Sequence, residues 1–356
     1  MRLPPAPISS CLLPAPPPAP VPAPGIASGP VPAKSHGLGP GSMPAPGPGP
    51  AVGHWRGQDH DHGHDHWHGS MPARALCRQA ALLAVRALYA ELALYPKPGL
   101  VSLVDNGSHS DMTALTFMRS LFSLRHYFAA ICRAGMEDAP FARLKQLGIA
   151  AERRMMAATG GINTHRGAIF GLGMLCAALG RHLATPGQAR IATAADPAVL
   201  RAALLAGWGE ALAAHTLAAP DGSHGQRAAQ LHAASGAREE AALGMPSVFL
   251  VGLPALQATL ARGGSMDHAR VDALFALMTH VSDTNVLHRG GLAGAHMVRD
   301  QAQHFLALGG TAHPDWRARA LDTHRLFVRH RLSPGGAADL LAACCLVHAF
   351  SRHAWT

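Results

Sequence analysis

The stretch ARALCRQAALLAVRALYAELALY (Ala73–Tyr95), closed at once by Pro96, Lys97, Pro98 and Gly99, decides the fold class. Leu82, Val85, Tyr89 and Leu92 recur at spacings of three and four, the period of one face of a helix. Alanine fills eight of the other nineteen positions and no glycine or proline interrupts the run, so propensity and pattern agree on an α-helix. Two prolines within three residues then stop it.

The same signature continues downstream. Leu121, Leu124, Phe128 and Ile131 mark one buried face, and a helix over 139–158 ends at Thr159, Gly160 and Gly161, where glycine suits a left-handed cap. Asp111 stands where it caps the helix after the first loop. Another helix runs from near His165 to Arg181. Residues 182–197 read as a surface connection, with alanine-rich helices over 198–217 and 224–243. Val248–Leu260 follows a break at Gly244, Met245 and Pro246. Val271, Leu274, Met278 and Val281 form a stripe that stops at Asp283, Thr284 and Asn285. A helix begins at Arg289–Gly291 and runs to Leu308, and two more cover 314–331 and 336–352. Alternation of period two is almost absent. The prediction is an all-α fold, a single helical bundle of roughly ten helices.

That domain spans Met71–Thr356. Of the 28 prolines, 17 lie in residues 1–50 among alanine and glycine, so residues 1–70 read as a disordered low-complexity tail. His54, His60, His62, His64, His66 and His68 alternate with aspartates there. This tract chelates Zn²⁺ or Ni²⁺ loosely but builds no rigid site. The tail's three cations (Arg2, Lys34, Arg56) cancel its three aspartates (Asp59, Asp61, Asp65), so the formal charge of +9 belongs to the helical part. A basic domain favours anionic partners. Scattered arginines and 5% aromatics argue against nucleic acid, and a polyphosphate ligand fits better. Six cysteines without a C-x-x-C pair point to a reducing, cytoplasmic setting. The longest apolar run, Gly167–Gly180, is short for a bilayer, so no membrane partner is expected.

Chemistry concentrates in three loops. The first, Pro96–Asp111, holds Lys97 between prolines, either as a phosphate contact or as a solvated lysine at a helix stop. It also holds His109, which no turn requires. The second, Thr159–Gly167, offers Gly160, Gly161 and Asn163 to an anion at a helix N-terminus. Arg166 there opposes the helix dipole unless an anion neutralises it. The third, Asp283–Gly291, repeats an asparagine followed by His-Arg-Gly: Asn285, then His288, Arg289 and Gly290. Two such arms suggest a grip on one polyanion, the alternative being paired structural turns. No Walker sequence is present. A bound triphosphate normally takes Mg²⁺, with Asp111 and Asp283 the candidate ligands. Glu91, His109, Asp111 and His165 are candidates for general-base or charge-stabilising work, or for structural hydrogen bonds.

PKPGLVS (96–102), NGSHSDM (106–112), TGGINTHRGA (159–168), DTN (283–285), HRGG (288–291) and LSPGGAADLL (332–341) occur in an order that resembles the triphosphoribosyl-dephospho-CoA synthase family. The resemblance covers 75–353. It implies transfer of the triphosphoribosyl group of ATP to the ribose 2′-hydroxyl of 3′-dephospho-CoA, with adenine released. The product is the prosthetic-group precursor for the acyl carrier subunit of malonate decarboxylase or citrate lyase. The form of the second motif, His109 through Met112, is more similar to the malonate branch. The competing readings are a helical ADP-ribose-type glycohydrolase and a non-enzymatic metal- or nucleic-acid-binding protein.

Overall fold

The computed structural model describes residues 71–185, 196–217, 236–353 and Trp355. The expected disordered tail, its histidine tract and most of the predicted 224–243 helix lie outside them. Every regular element among the described residues is helical: α1 (Met71–Ala93), α2 (Ala114–Ser123), α3 (Arg125–Met136), α4 (Phe141–Ala158), α5 (Arg166–Ala184), α6 (Ala198–Leu217), α7 (Ala237–Ala242), α8 (Leu253–Ala261), α9 (Met266–His280), α10 (Thr284–Ala307), α11 (Trp316–Arg329) and α12 (Gly335–Arg352). A π-helical turn, Ser247–Gly252, leads into α8, and a short 3₁₀ turn, Gly310–Ala312, precedes α11.

The α1 face needs correction. Leu82 and Tyr89 are 48% and 44% exposed, whereas Ala80, Ala84, Ala87, Leu88, Glu91 and Leu92 are buried. The predicted stripe took the largest apolar side chains. The helix instead turns its alanines inward, because small residues let neighbouring backbones approach. The same logic governs α5, which packs against α1, α3, α6 and α12. Gly135 of α3 lies against the Ala177 carbonyl, and Gly180 of α5 against the Cys132 carbonyl. A Cβ at either glycine would collide with backbone. By length and composition α5, which is longer than the 167–180 run, is apolar enough to cross a membrane, but 72% of its apolar window is buried inside the fold. It is the central core helix.

Two helix starts also differ from expectation. Thr113, not Asp111, caps α2: its hydroxyl accepts from Thr116 N–H, and the Thr116 side chain accepts from Thr113 N–H. The hydroxyl at 113 sits one residue before the helix, which is the capping position, and Asp111 is two residues too early. Helix α10 starts at Thr284 rather than near Arg289, and Gly291, at φ 58°, interrupts it. Arg289 and Gly290 therefore close a short leading segment, and the long segment follows. The ends of α4 and α11 are as the glycine signal requires for one and not for the other. Gly160 (φ 67°) and Gly161 (φ 89°) end α4, with Gly161 N–H donating to Met156 O at 2.8 Å. Helix α11 ends on Arg331 at φ 54°, where glycine is the usual residue.

Candidate functional site

The N-termini of α5, α10 and α12 meet, and two carboxylates, the buried Asp283 and the half-buried Asp339, join them. Asp283 is the centre of one junction. Its Oδ1 accepts Asn285 N–H (2.9 Å) and Val286 N–H (3.3 Å) at the start of α10, and its Oδ2 accepts Gly336 N–H (2.7 Å) and Ala337 N–H (3.2 Å) at the start of α12. Burial raises its carboxyl pKa, and these four donors oppose the rise without cancelling it. Asp339 of α12 makes the second junction. It accepts the Ala168 N–H of α5 and presses against Gly167, where any side chain would strike the carboxylate. Burial, then the Glu91 and Asp283 carboxylates, push Asp339 well above the usual carboxylate range.

Lys97 is neither solvated nor held out to an anion. It is 1% exposed, and its Nζ pairs with Glu91 Oε1 at 2.5 Å. Burial lowers the Lys97 ammonium and raises the Glu91 carboxyl, each opposed by the other's charge. His165 is buried at the start of α5. Its Nδ1 meets Ser120 Oγ at 2.6 Å, and its ring packs edge-on against Phe117. Neither His165 Nε2 nor the neighbouring Thr164 hydroxyl has a hydrogen-bond partner. Burial, helped by the Lys97 charge, pushes its pKa down to about 3.

That depressed value makes a stability prediction. An unfolded histidine titrates near 6.5, so on acidification the unfolded chain takes up the proton first. The stability from neutral His165 is fully present above pH 6.5. It drains as pH falls towards about 3, by up to about 1.4 kcal/mol per pH unit. In urea titrations between pH 6 and 4, His165→Gln should show a slope shallower by close to one proton. Equal slopes would count against a buried neutral imidazole.

The first loop is stapled across the turn between α11 and α12. Ser108 Oγ donates to Leu332 O (2.6 Å), and Arg289 Nη1 donates to Ser108 O (3.1 Å). His109 lies between Arg289 Nη2, 3.0 Å from Nδ1, and Ser333 Oγ, 2.8 Å from Nε2. A guanidinium only donates, so Nδ1 accepts and Nε2 carries the proton. Burial and the Arg289 charge lower the His109 pKa. The Nδ1 lone pair is already committed, so His109 orients Arg289 in this arrangement. Ser108, His109, Ser110, Arg289, Val328 and Arg331 line a cavity of about 470 Å³.

Arg166 lies outside that cavity, its Nε 2.6 Å from Glu152 Oε1. The second and third loops thus share the α12 N-terminus, while their two guanidiniums have separate partners. Asn163 Oδ1 accepts Arg166 N–H at 3.2 Å. Gly160 and Gly161 face open space, as Gly291 does, whereas Gly290 is pressed against Leu332 and the Asn285 amide lies against Gly335. Asp111 is exposed, 3.7 Å from His109. Among the described residues no group of three or more His, Cys, Asp or Glu is placed to hold a metal. Asp283, its oxygens taken by backbone, does not fit a cation. The exposed Asp111 carboxylate is not saturated in this way.

Asp339 and Arg331 were missed in the sequence. The signal for Asp339 was a lone carboxylate amid alanine and leucine on an apolar helix, a buried-charge pattern. For Arg331 the signal was weaker: no glycine ends the preceding helix.

Residues 77–356 match the family described as CitG, ATP:dephospho-CoA triphosphoribosyl transferase, and all three loops fall inside that range. Among curated relatives, a probable 2-(5''-triphosphoribosyl)-3'-dephosphocoenzyme-A synthase of Acinetobacter calcoaceticus is 43% identical over 260 residues, covering 73% of this chain and 87% of the relative. Proteins of the same name from Pseudomonas putida (42% identical; 76% of this chain, 94% of the relative) and Vibrio cholerae serotype O1, strain M66-2 (38%; 77% and 88%) are also similar. No solved structure matches the chain. On the extent of these matches the chain belongs to the ATP:dephospho-CoA triphosphoribosyl transferase family and is a transferase.

Proposed function

We propose that the protein converts ATP and 3′-dephospho-CoA to 2′-(5″-triphosphoribosyl)-3′-dephospho-CoA and adenine. The supporting observation is that the family match spans all three loops, which the fold gathers around the start of α12. The bond from adenine to C1″ of the ATP ribose breaks, and a bond from C1″ to the acceptor 2′-oxygen forms. The acceptor proton leaves to a base, and adenine departs with a proton in its place. The triphosphate is kept, so groups that grip it serve both ground and transition states.

On this reading Arg289, oriented by His109, and the open backbone at Gly160 and Gly161 receive phosphates, with Asn163 and Asn285 shaping the loops beside them. Arg166 joins them by exchanging Glu152 for a phosphate oxygen. Magnesium travels with the triphosphate, and Asp111 is the carboxylate free to meet it. The Glu91 and Asp339 carboxyls are acids near the start of α5 that could face the charge developing at C1″. His165 offers the unpartnered Nε2 to a substrate hydroxyl, with Glu91 the alternative base. The prosthetic group so prepared would go to the acyl carrier subunit of malonate decarboxylase, an assignment that rests on the form of the second motif.

Mass spectrometry of a reaction with ATP, Mg²⁺ and dephospho-CoA tests the chemistry. Equimolar adenine and triphosphoribosyl-dephospho-CoA are expected, with no adenine when the acceptor is omitted. Adenine release without acceptor would make the protein a glycohydrolase instead.

A further inference from the structure

Arg331 stands in a conformation that costs its own helix. It follows the C-cap of α11 at φ 54°, in a turn closed by Leu332 N–H to Phe327 O (2.9 Å) and Arg331 N–H to Val328 O (3.1 Å). Glycine is the unstrained residue for that position. A cation near a helix C-terminus gains from the dipole, but Arg329 already occupies the last turn. The gain at an exposed site is smaller than the left-handed penalty. The Arg331 side chain lines the 470 Å³ cavity beside Arg289, and it has no hydrogen bond or ion pair with any described residue. Two guanidiniums and a histidine that accepts from one of them share that cavity, no carboxylate is among its lining residues, and Asp111 lies 3.7 Å from His109 in an exposed position.

We propose that Arg331 is a substrate-binding residue that clamps, with Arg289, the phosphate chain of a nucleotide substrate in this cavity. The proposal deepens the reading above and rests on it for the identity of the substrates. The two sources of such a chain are the triphosphate of ATP and the diphosphate of dephospho-CoA.

Arg331→Gly separates the side chain from the fold, because the backbone carbonyl that Arg289 contacts remains and the strain is relieved. The melting temperature should rise by about 2–4 °C. Binding of inorganic tripolyphosphate, measured by calorimetry at fixed salt, should weaken by about tenfold, the loss expected for one charge-assisted contact. KM should rise by a similar factor for one substrate with kcat nearly unchanged. A rise for ATP places the triphosphate in the cavity, and a rise for dephospho-CoA places the diphosphate there. Unchanged tripolyphosphate binding with both KM values unchanged overturns the proposal, as does a fall in melting temperature. A wild-type protein that releases no adenine sinks the proposed reaction, while the tripolyphosphate arm still decides the role of Arg331.

Discussion

Replacing Lys97 by Met should destabilise the protein by about 3–5 kcal/mol, the cost of stranding one member of a buried ion pair. Glu91 would remain in the core without its 2.5 Å partner. Little water can reach it, since both side chains are almost fully enclosed. The double substitution Glu91→Leu with Lys97→Met removes both charges at similar volume and should return to within about 1 kcal/mol of wild type. Guanidinium titrations of the two single variants and the double give the coupling directly. A Lys97→Met protein of near-native stability would mean that the pair is not buried as described. The double variant also separates the two candidate bases: if Glu91 rather than His165 takes the proton, it should fold yet stay below about one hundredth of wild-type kcat/KM, the scale of a lost general base. Near-native turnover would remove Glu91 from the candidate bases.

Asp283→Ala should rank with it. The substitution leaves donors at the starts of α10 and α12 unmatched in the interior. The expected loss is about 3–4 kcal/mol, summed from charge-assisted bonds and the desolvation of what remains. Asn is a poor rescue. Its single carbonyl can serve one helix, and its amide then points hydrogens at the N–H groups of the other, so Asp283→Asn should regain at most half. Activity should fall over a hundredfold even where the variant is folded. The start of α12 carries Asp339 and adjoins Ser333, which holds His109, so loosening it moves each of them. Calorimetric melting with kcat/KM at 10 °C provides the check. A loss under 1 kcal/mol would show that the helix starts are held by other means.

These two residues also show what a sequence can and cannot disclose. Helix positions were legible because Pro96, Pro98, Gly160 and Gly161 act through local backbone sterics. The stripe from Leu121 to Ile131 was legible because its residues are both large and inward-facing, as their burial shows. The α1 face was misjudged because close backbone approach, a tertiary constraint, favoured alanine over leucine. Asp283 was recognised as important, but its saturation by two helix starts depends on α12, whose Gly336 is 53 residues further along the chain. Lys97 read as a phosphate contact or a solvated lysine because its partner lies six residues back, in the last turn of a helix that ends between them. Asp339 and Arg331 carried little local signal: one needs the meeting of three helices, the other a backbone angle.

The interlock of α3 and α5 has a mechanical consequence. With Gly135 seated on the Ala177 carbonyl and Gly180 on that of Cys132, neither rod can slide along the other without driving main chain into main chain. The lip of α5, with His165 and Arg166, is thereby anchored like a keyed shaft. Adjustment at the site would fall instead on residues 103–111, the more exposed part of the first loop, whose tethers at Ser108 and His109 are hydrogen bonds that a competing anion can replace one at a time.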